Sequence, residues 1–129
     1  MAAERSVLIV DSSEETREVL RTALEQRGVR TLSASRAAQG LALARQHRPD
    51  VIVLDVEGDS EWSPPLGGSL VDEAQARATP MLLLGKIRRD LPCPAGEVVP
   101  KPYHYGPLIR KIEALLAGAR PPRAASAAG

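Results

Sequence analysis

Three short, almost uninterrupted apolar runs constrain this chain more than any other feature: Val7 to Val10, Val51 to Leu54 and Met81 to Leu84. A run of about four apolar residues without polar alternation suits a strand covered on both faces, as in a parallel sheet between two helical layers. These runs are the expected central strands. Val29 to Ala34 is more mixed in polarity and Glu97-Val-Val99 is very short, so both are expected at the sheet edges.

The intervening segments carry helical signals. Val19, Leu20, Ala23 and Leu24 recur at helical spacing, Ser12 and Glu15 have the form of a capping box, and Gly28 ends the helix. Ser35 is the expected cap of a second helix that buries Ala38, Leu41 and Ala42, with Pro49 stopping its continuation. Residues 57–68 read as a loop, followed by a short helix around Ser69 to Arg77. Between Gly85 and Gly96, Pro92 and Pro94 leave room for about one helical turn, so a fourth helix is expected to be shortened or missing. Leu108, Ile109, Ile112, Leu115 and Leu116 form the apolar stripe of a last helix, with Pro107 in its first turn. Strands alternating with helices imply an α/β fold: a five-stranded parallel sheet with helices on both faces. Residues 1–118 make one domain, and 119–129, rich in Ala, Pro, Arg and Ser, read as a disordered tail or linker stub.

Composition narrows the function classes. The 129 residues suit a single domain, and a formal charge of +1 provides no global field to attract nucleic acid or anionic lipid. The single cysteine, Cys93, can form neither an internal disulfide nor a paired-cysteine metal site, which fits a reducing compartment. No apolar run reaches membrane-spanning length and Met1 to Ser6 leaves no room for a signal sequence, so a cytoplasmic location is expected. His47 and His104 have no partners at ligand spacing and read as surface residues.

On such sheets, ligand chemistry gathers beyond the carboxyl ends of the strands. Those ends deliver Asp11, Asp55, Gly85 and Lys101-Pro102. Here Val-Leu-Ile-Val-Asp11, Val-Ile-Val-Leu-Asp55, Pro80-Met-Leu-Leu-Leu and Val-Pro-Lys101-Pro102-Tyr103, in this order, resemble the receiver domains of bacterial response regulators from about Ser6 to Leu116. The resemblance implies flavodoxin-like receiver topology, with Asp55 as candidate phosphoacceptor, a carboxylate nucleophile. It also implies Lys101 as the cation beside it and Asp11 with Asp55 as ligands for Mg²⁺.

The site departs from the family pattern. Ser12 stands where a second acid is expected, so a weak Mg²⁺ site or none is expected, and no other cofactor. Glu14 and Glu57 are either substitute ligands or solvated loop carboxylates. Gly85 replaces the hydroxyl residue that bonds the phosphoryl group, and Val98 replaces the aromatic partner of that hydroxyl. Lys101 pairs either with Asp55 or with a phosphoryl oxygen, and where no metal is bound a Lys101–Asp55 salt bridge that neutralises a buried acid is the expected arrangement.

The first functional reading is a non-enzymatic pseudo-receiver, a phosphorylation-independent protein-interaction module in signalling. The second is an atypical response regulator that accepts a phosphoryl group on Asp55. A small-molecule domain is third, because no glycine-rich phosphate loop follows the first strand. Tyr103 and Tyr105 form a candidate protein-binding face, or else pack against the last helix. Trp62 is either a partner anchor or a core cover. A protein partner, with homodimerisation as one form of it, is expected; nucleic acid and membrane are not.

Overall fold

The computed structural model describes residues 5–55, 70, 73–85 and 96–119. Five strands, β1 (Ser6–Val10), β2 (Arg30–Ala34), β3 (Val51–Asp55), β4 (Met81–Leu84) and β5 (Gly96–Val99), form one parallel sheet in the order β2-β1-β3-β4-β5. Helix α1 (Glu14–Glu25) joins β1 to β2, and α2 (Ala37–His47) joins β2 to β3. Leu70 and residues 73–76 are helical and form α3, while α4 (Tyr105–Ala119) follows β5. The mixed and very short strands expected at the margins, β2 and β5, are the edges. The segment expected to hold a shortened fourth helix, residues 86–95, lies outside the described residues, as do the 57–68 loop with Glu57 and Trp62, Cys93, and the tail from residue 120.

The three central runs are buried because their two faces meet different helices. Val7, Ile9, Val51, Val53, Leu82 and Leu84 pack with Leu20 and Leu24 of α1 and with Leu108, Ile109, Ile112 and Leu116 of α4. Their sequence neighbours Leu8, Val10, Ile52, Leu54, Met81 and Leu83 point the other way, against Ala44 of α2 and Leu70 and Ala74 of α3. This is strand periodicity of two applied to a sheet with no wet face. Each aliphatic side chain buried in this way contributes on the order of 1.5–3 kcal/mol.

Three local expectations are corrected. The cap of α1 is Ser13, whose hydroxyl accepts the Thr16 amide at 3.2 Å; the Ser12–Glu15 box does not form. Ser35 does not cap α2, because the cap position falls on Arg36, which makes no side-chain cap bond. The buried face of α2 is Ala37, Gly40 and Ala44, whereas Ala38 and Ala42 are exposed and Leu41 is half-buried. Gly40 explains the rotation: a Cβ there would stand 2.6 Å from Val10 Cγ2, so the helix approaches β1 where a side chain is absent. Gly28, at φ 80°, ends the turn after α1, and the Val29 amide reaches back to the Leu24 carbonyl at 3.0 Å. Arg48, at φ 51°, ends α2 directly before Pro49.

Candidate functional site at the carboxyl rim of the sheet

Parallel strands bring all their carboxyl ends to one rim, so residues far apart in sequence meet there. Asp11 directly follows β1, Asp55 ends β3, and Lys101 lies two residues beyond β5. Both acids are buried, with Asp11 3% and Asp55 6% exposed. The Lys101 ammonium donates to Asp55 Oδ1 at 2.9 Å. The ion pair expected from the sequence is therefore made, between a carboxylate that is 4% exposed and a lysine side chain that is 32% exposed.

Asp11 anchors the start of α1 in two ways. Its Oδ1 accepts the Ser13 amide at 2.8 Å, and its carbonyl accepts Arg17 Nη1 at 2.6 Å. Burial pushes the Asp11 pKa above the usual carboxylate value, and the Ser13 amide pulls it the other way. Repulsion by Asp55 raises it, the Lys101 charge lowers it, and a hydrogen bond with Asp55 raises it again; the net direction is upward.

An open cleft of about 590 Å³ lies over these residues, lined by Asp11, Ser12, Ser13, Thr16, Asp55, Lys101, Pro102, Tyr103 and Tyr105. Tyr103 and Tyr105 are half-buried, packed against the core that α1 and α4 share, with centroids 5.9 Å apart and planes at 83°. The Tyr105 hydroxyl lies 3.4 Å from Thr16 Oγ1. Burial pushes the Tyr103 hydroxyl up to about 12, aided by the charge of Asp11. The two tyrosines thus wall the acidic cleft as well as packing on the core. Thr16 belongs to this site and was not foreseen, because a threonine in the first turn of a helix carries no sequence signal of its own.

The residues expected from the sequence to depart from the family pattern also have defined places. Ser12 is exposed at the cleft and adds no charge. Gly85 is buried, with φ 115° and its amide donating to the Val99 carbonyl at 2.8 Å. L-residues rarely adopt that backbone conformation, so the strand end has the shape of a glycine position. Val98 is 39% exposed. Glu14 is exposed in the first turn of α1 and does not line the cleft. His47 and His104 are exposed, and among the described residues no group of three or more His, Cys, Asp or Glu side chains could hold a metal.

The donor set fits Mg²⁺ poorly. The described rim offers two carboxylates, one held by Lys101 and the other shifted toward its neutral form, together with an uncharged hydroxyl. A hard dication that keeps octahedral oxygen geometry gains most from full carboxylate charge.

A parallel sheet with helices on both faces, gathering two buried acids and a lysine at its carboxyl rim, defines the class as a receiver-type α/β domain. A family model, the response regulator receiver domain, matches residues 7–59. Protein PilH of Pseudomonas aeruginosa is 30% identical over 123 residues, which cover 87% of this chain and 98% of PilH. The polar-differentiation response regulator DivK of Brucella anthropi is 30% identical over 78 residues, covering 60% of this chain and 63% of DivK. Among solved structures, the receiver domain of a signal transduction histidine kinase from Syntrophus aciditrophicus aligns with a TM-score of 0.73 at 25% identity, covering 92% of this chain and 94% of that one. The chemotaxis protein CheY4 of Vibrio cholerae aligns at 0.68 and 24% identity, covering 88% and 99%. The chain belongs to the response regulator receiver domain family.

Proposed function

We propose that this receiver domain is a pseudo-receiver, a non-enzymatic signalling module that binds a protein partner in the cytoplasm without switching by phosphorylation. The observation that carries the reading is Gly85. Its φ of 115° leaves a position where a hydroxyl-bearing side chain would be strained, so position 85 offers no hydroxyl to bond a phosphoryl group. Ser12 in place of a second acid weakens metal binding, and phosphoryl transfer to a carboxylate depends on a cation to offset charge on the phosphoryl oxygens. The partner is a protein, a second copy of this chain included; no described helix is long and apolar enough to cross a membrane, and the net charge gives no pull on nucleic acid.

One observation favours the second reading, an atypical phosphoacceptor: Asp55 ends β3 with the Lys101 ammonium 2.9 Å from its Oδ1. Intact-mass analysis after incubation with acetyl phosphate and Mg²⁺ separates the two. Little or no phosphoryl adduct is expected on the wild type. A stoichiometric adduct that disappears in Asp55→Asn overturns the pseudo-receiver and establishes the phosphoacceptor.

A further inference from the structure

Strand β2 is one edge of the sheet, with β1 on its inner side. The Arg30 amide donates to the Arg5 carbonyl at 2.9 Å, and the Ala34 carbonyl accepts the Asp11 amide at 3.0 Å. Both ends of the strand thus turn backbone groups inward. Along a paired strand that orientation alternates, so Leu32 also faces β1, while the amides and carbonyls of Thr31 and Ser33 point away from the sheet. The pairing with β1 runs in register over all five residues, from Ser6 opposite Arg30 to Val10 opposite Ala34, and no bulge turns this edge aside.

Sheet edges are usually blunted by charge, by proline, by a bulge or by a covering segment. β5, the opposite edge, follows that rule: Glu97, its second residue, is exposed and pairs with Lys111 at 2.6 Å. β2 does not. Its one charged residue, Arg30, stands at its first position, and Thr31, Leu32 and Ser33 are uncharged. Thr31 and Ser33 carry hydroxyls on either side of Leu32, so the order of side chains reads the same in both directions. Thr31 Oγ1 donates to Glu25 Oε2 at 3.1 Å on the α1 side, whereas Leu32 is half-buried against the core on the α2 side.

We propose that β2 takes a second copy of this chain as an added antiparallel strand, the two β2 strands meeting about a two-fold axis at Leu32. Thr31 of each copy then exchanges backbone hydrogen bonds with Ser33 of the other, about four bonds in all. Leu32 faces its own counterpart as a non-hydrogen-bonded pair, with Cα atoms about 4.5 Å apart, and each covers the exposed part of the other. The outward groups fall symmetrically about Leu32, so one patch serves both copies, as a closed two-fold dimer requires. An extended segment of another protein would find the same backbone groups, but the self-matching order of side chains singles out a second copy. At about one hydrogen bond per 100–200 Å², four bonds correspond to roughly 400–800 Å² of buried surface, short of the roughly 1,200 Å² of a stable complex. The dimer is therefore weak and reversible, with a dissociation constant between about 10 µM and 1 mM. The proposal rests on the part of the functional reading that counts a second copy as the protein partner. The two fail separately, because a phosphoryl adduct on Asp55 does not depend on β2, and a monomeric chain leaves the adduct measurement as it was.

The test is sedimentation velocity of the full chain from about 10 µM to about 1 mM, over which the wild type is expected to shift from monomer toward dimer. Ser33→Pro removes an outward amide and leaves the pairing with β1, at an edge position where proline is tolerated. Ser33→Lys adds the charge that protected edges carry, and serves if the proline variant does not fold. Each is expected to weaken the dimer on the order of tenfold or more, because both copies lose a bond. Location is read by cross-linking Leu32→Cys in a Cys93→Ser background. A Cα separation of about 4.5 Å lies within disulfide range, so mild oxidation is expected to give a covalent dimer that added Ser33→Lys suppresses. Val98→Cys in the same background is the control on the β5 edge. A wild type that stays monomeric at about 1 mM overturns the proposal. So does a dimer that both Ser33 variants leave intact, or one that cross-links through Val98→Cys and not through Leu32→Cys.

Discussion

Replacing Lys101 with methionine keeps most of the side-chain volume and removes the one ammonium described at the acidic rim. At 2.9 Å the unscreened attraction in an effective dielectric of about 20 is roughly 6 kcal/mol, most of it offset by the cost of desolvating the carboxylate. The pair sits between two measured extremes. Removing one partner of a buried pair costs about 3–5 kcal/mol, and an exposed pair is worth about 0–1 kcal/mol. Asp55 has the burial of the first case and Lys101, at 32% exposed, is nearer the second, so a loss of about 2 kcal/mol is expected at pH 7.5. With a urea dependence of roughly 1–3 kcal/mol per molar, the midpoint should fall by about 1 M, read by far-ultraviolet circular dichroism. Lys101→Arg, which keeps the charge, should lose much less. Equal midpoints for wild type and Lys101→Met at pH 7.5 would refute the assignment of Lys101 as the neutralising cation.

Asp11→Asn keeps the acceptor for the Ser13 amide and removes a carboxylate whose pKa is raised by burial. The wild type should lose stability as pH rises from the ordinary value of 3.8 through the raised folded value, and the variant should show a flatter profile in urea titrations across that range. Gly85→Ser should cost about 1–2 kcal/mol through its positive φ, measured as a lower urea midpoint, and should not create phosphoryl acceptance. Gly40→Ala should cost about 1–3 kcal/mol by forcing α2 away from Val10, which the same melts would show. Ser12→Asp should bind Mg²⁺ more tightly than wild type in titration calorimetry and be less stable in its absence, since it adds a third acid to the rim.

The central strands were legible because burial on both faces leaves a run of apolar residues that no helix of this length would show. The face of α2 was not. Its candidates were all small, so the sequence offered little hydrophobic contrast, and the deciding contact is the closeness of Gly40 to Val10, a tertiary fact. The caps failed for a related reason. Ser12 and Ser13 are adjacent and either can begin a helix; Ser13 takes the position because Asp11 receives its amide, and that carboxylate's orientation is set by the fold. At the rim, Asp11, Asp55 and Lys101 could be placed together because strand ends in a parallel sheet converge. The part played by Thr16 and the hydroxyl of Tyr105 needed the packing of α4 on α1 to bring residues 89 positions apart into contact.

The same contacts bear on what the acids mean. Asp11 fastens the first turn of α1 through Ser13 and Arg17, and Lys101 neutralises a carboxylate buried at the end of β3. Each of the three charged residues thus has a task in the fold that does not depend on phosphoryl transfer. Their presence would be expected in a receiver that had lost that chemistry as much as in one that kept it. Positions 12 and 85 discriminate better. A carboxylate at position 12 would add repulsion at the rim without a metal to balance it, and a hydroxyl residue at position 85 would strain a backbone now at φ 115°. Chemistry requires those two groups and the metal-free fold is easier without them, so their replacement by Ser12 and Gly85 weighs more heavily than the survival of Asp11, Asp55 and Lys101.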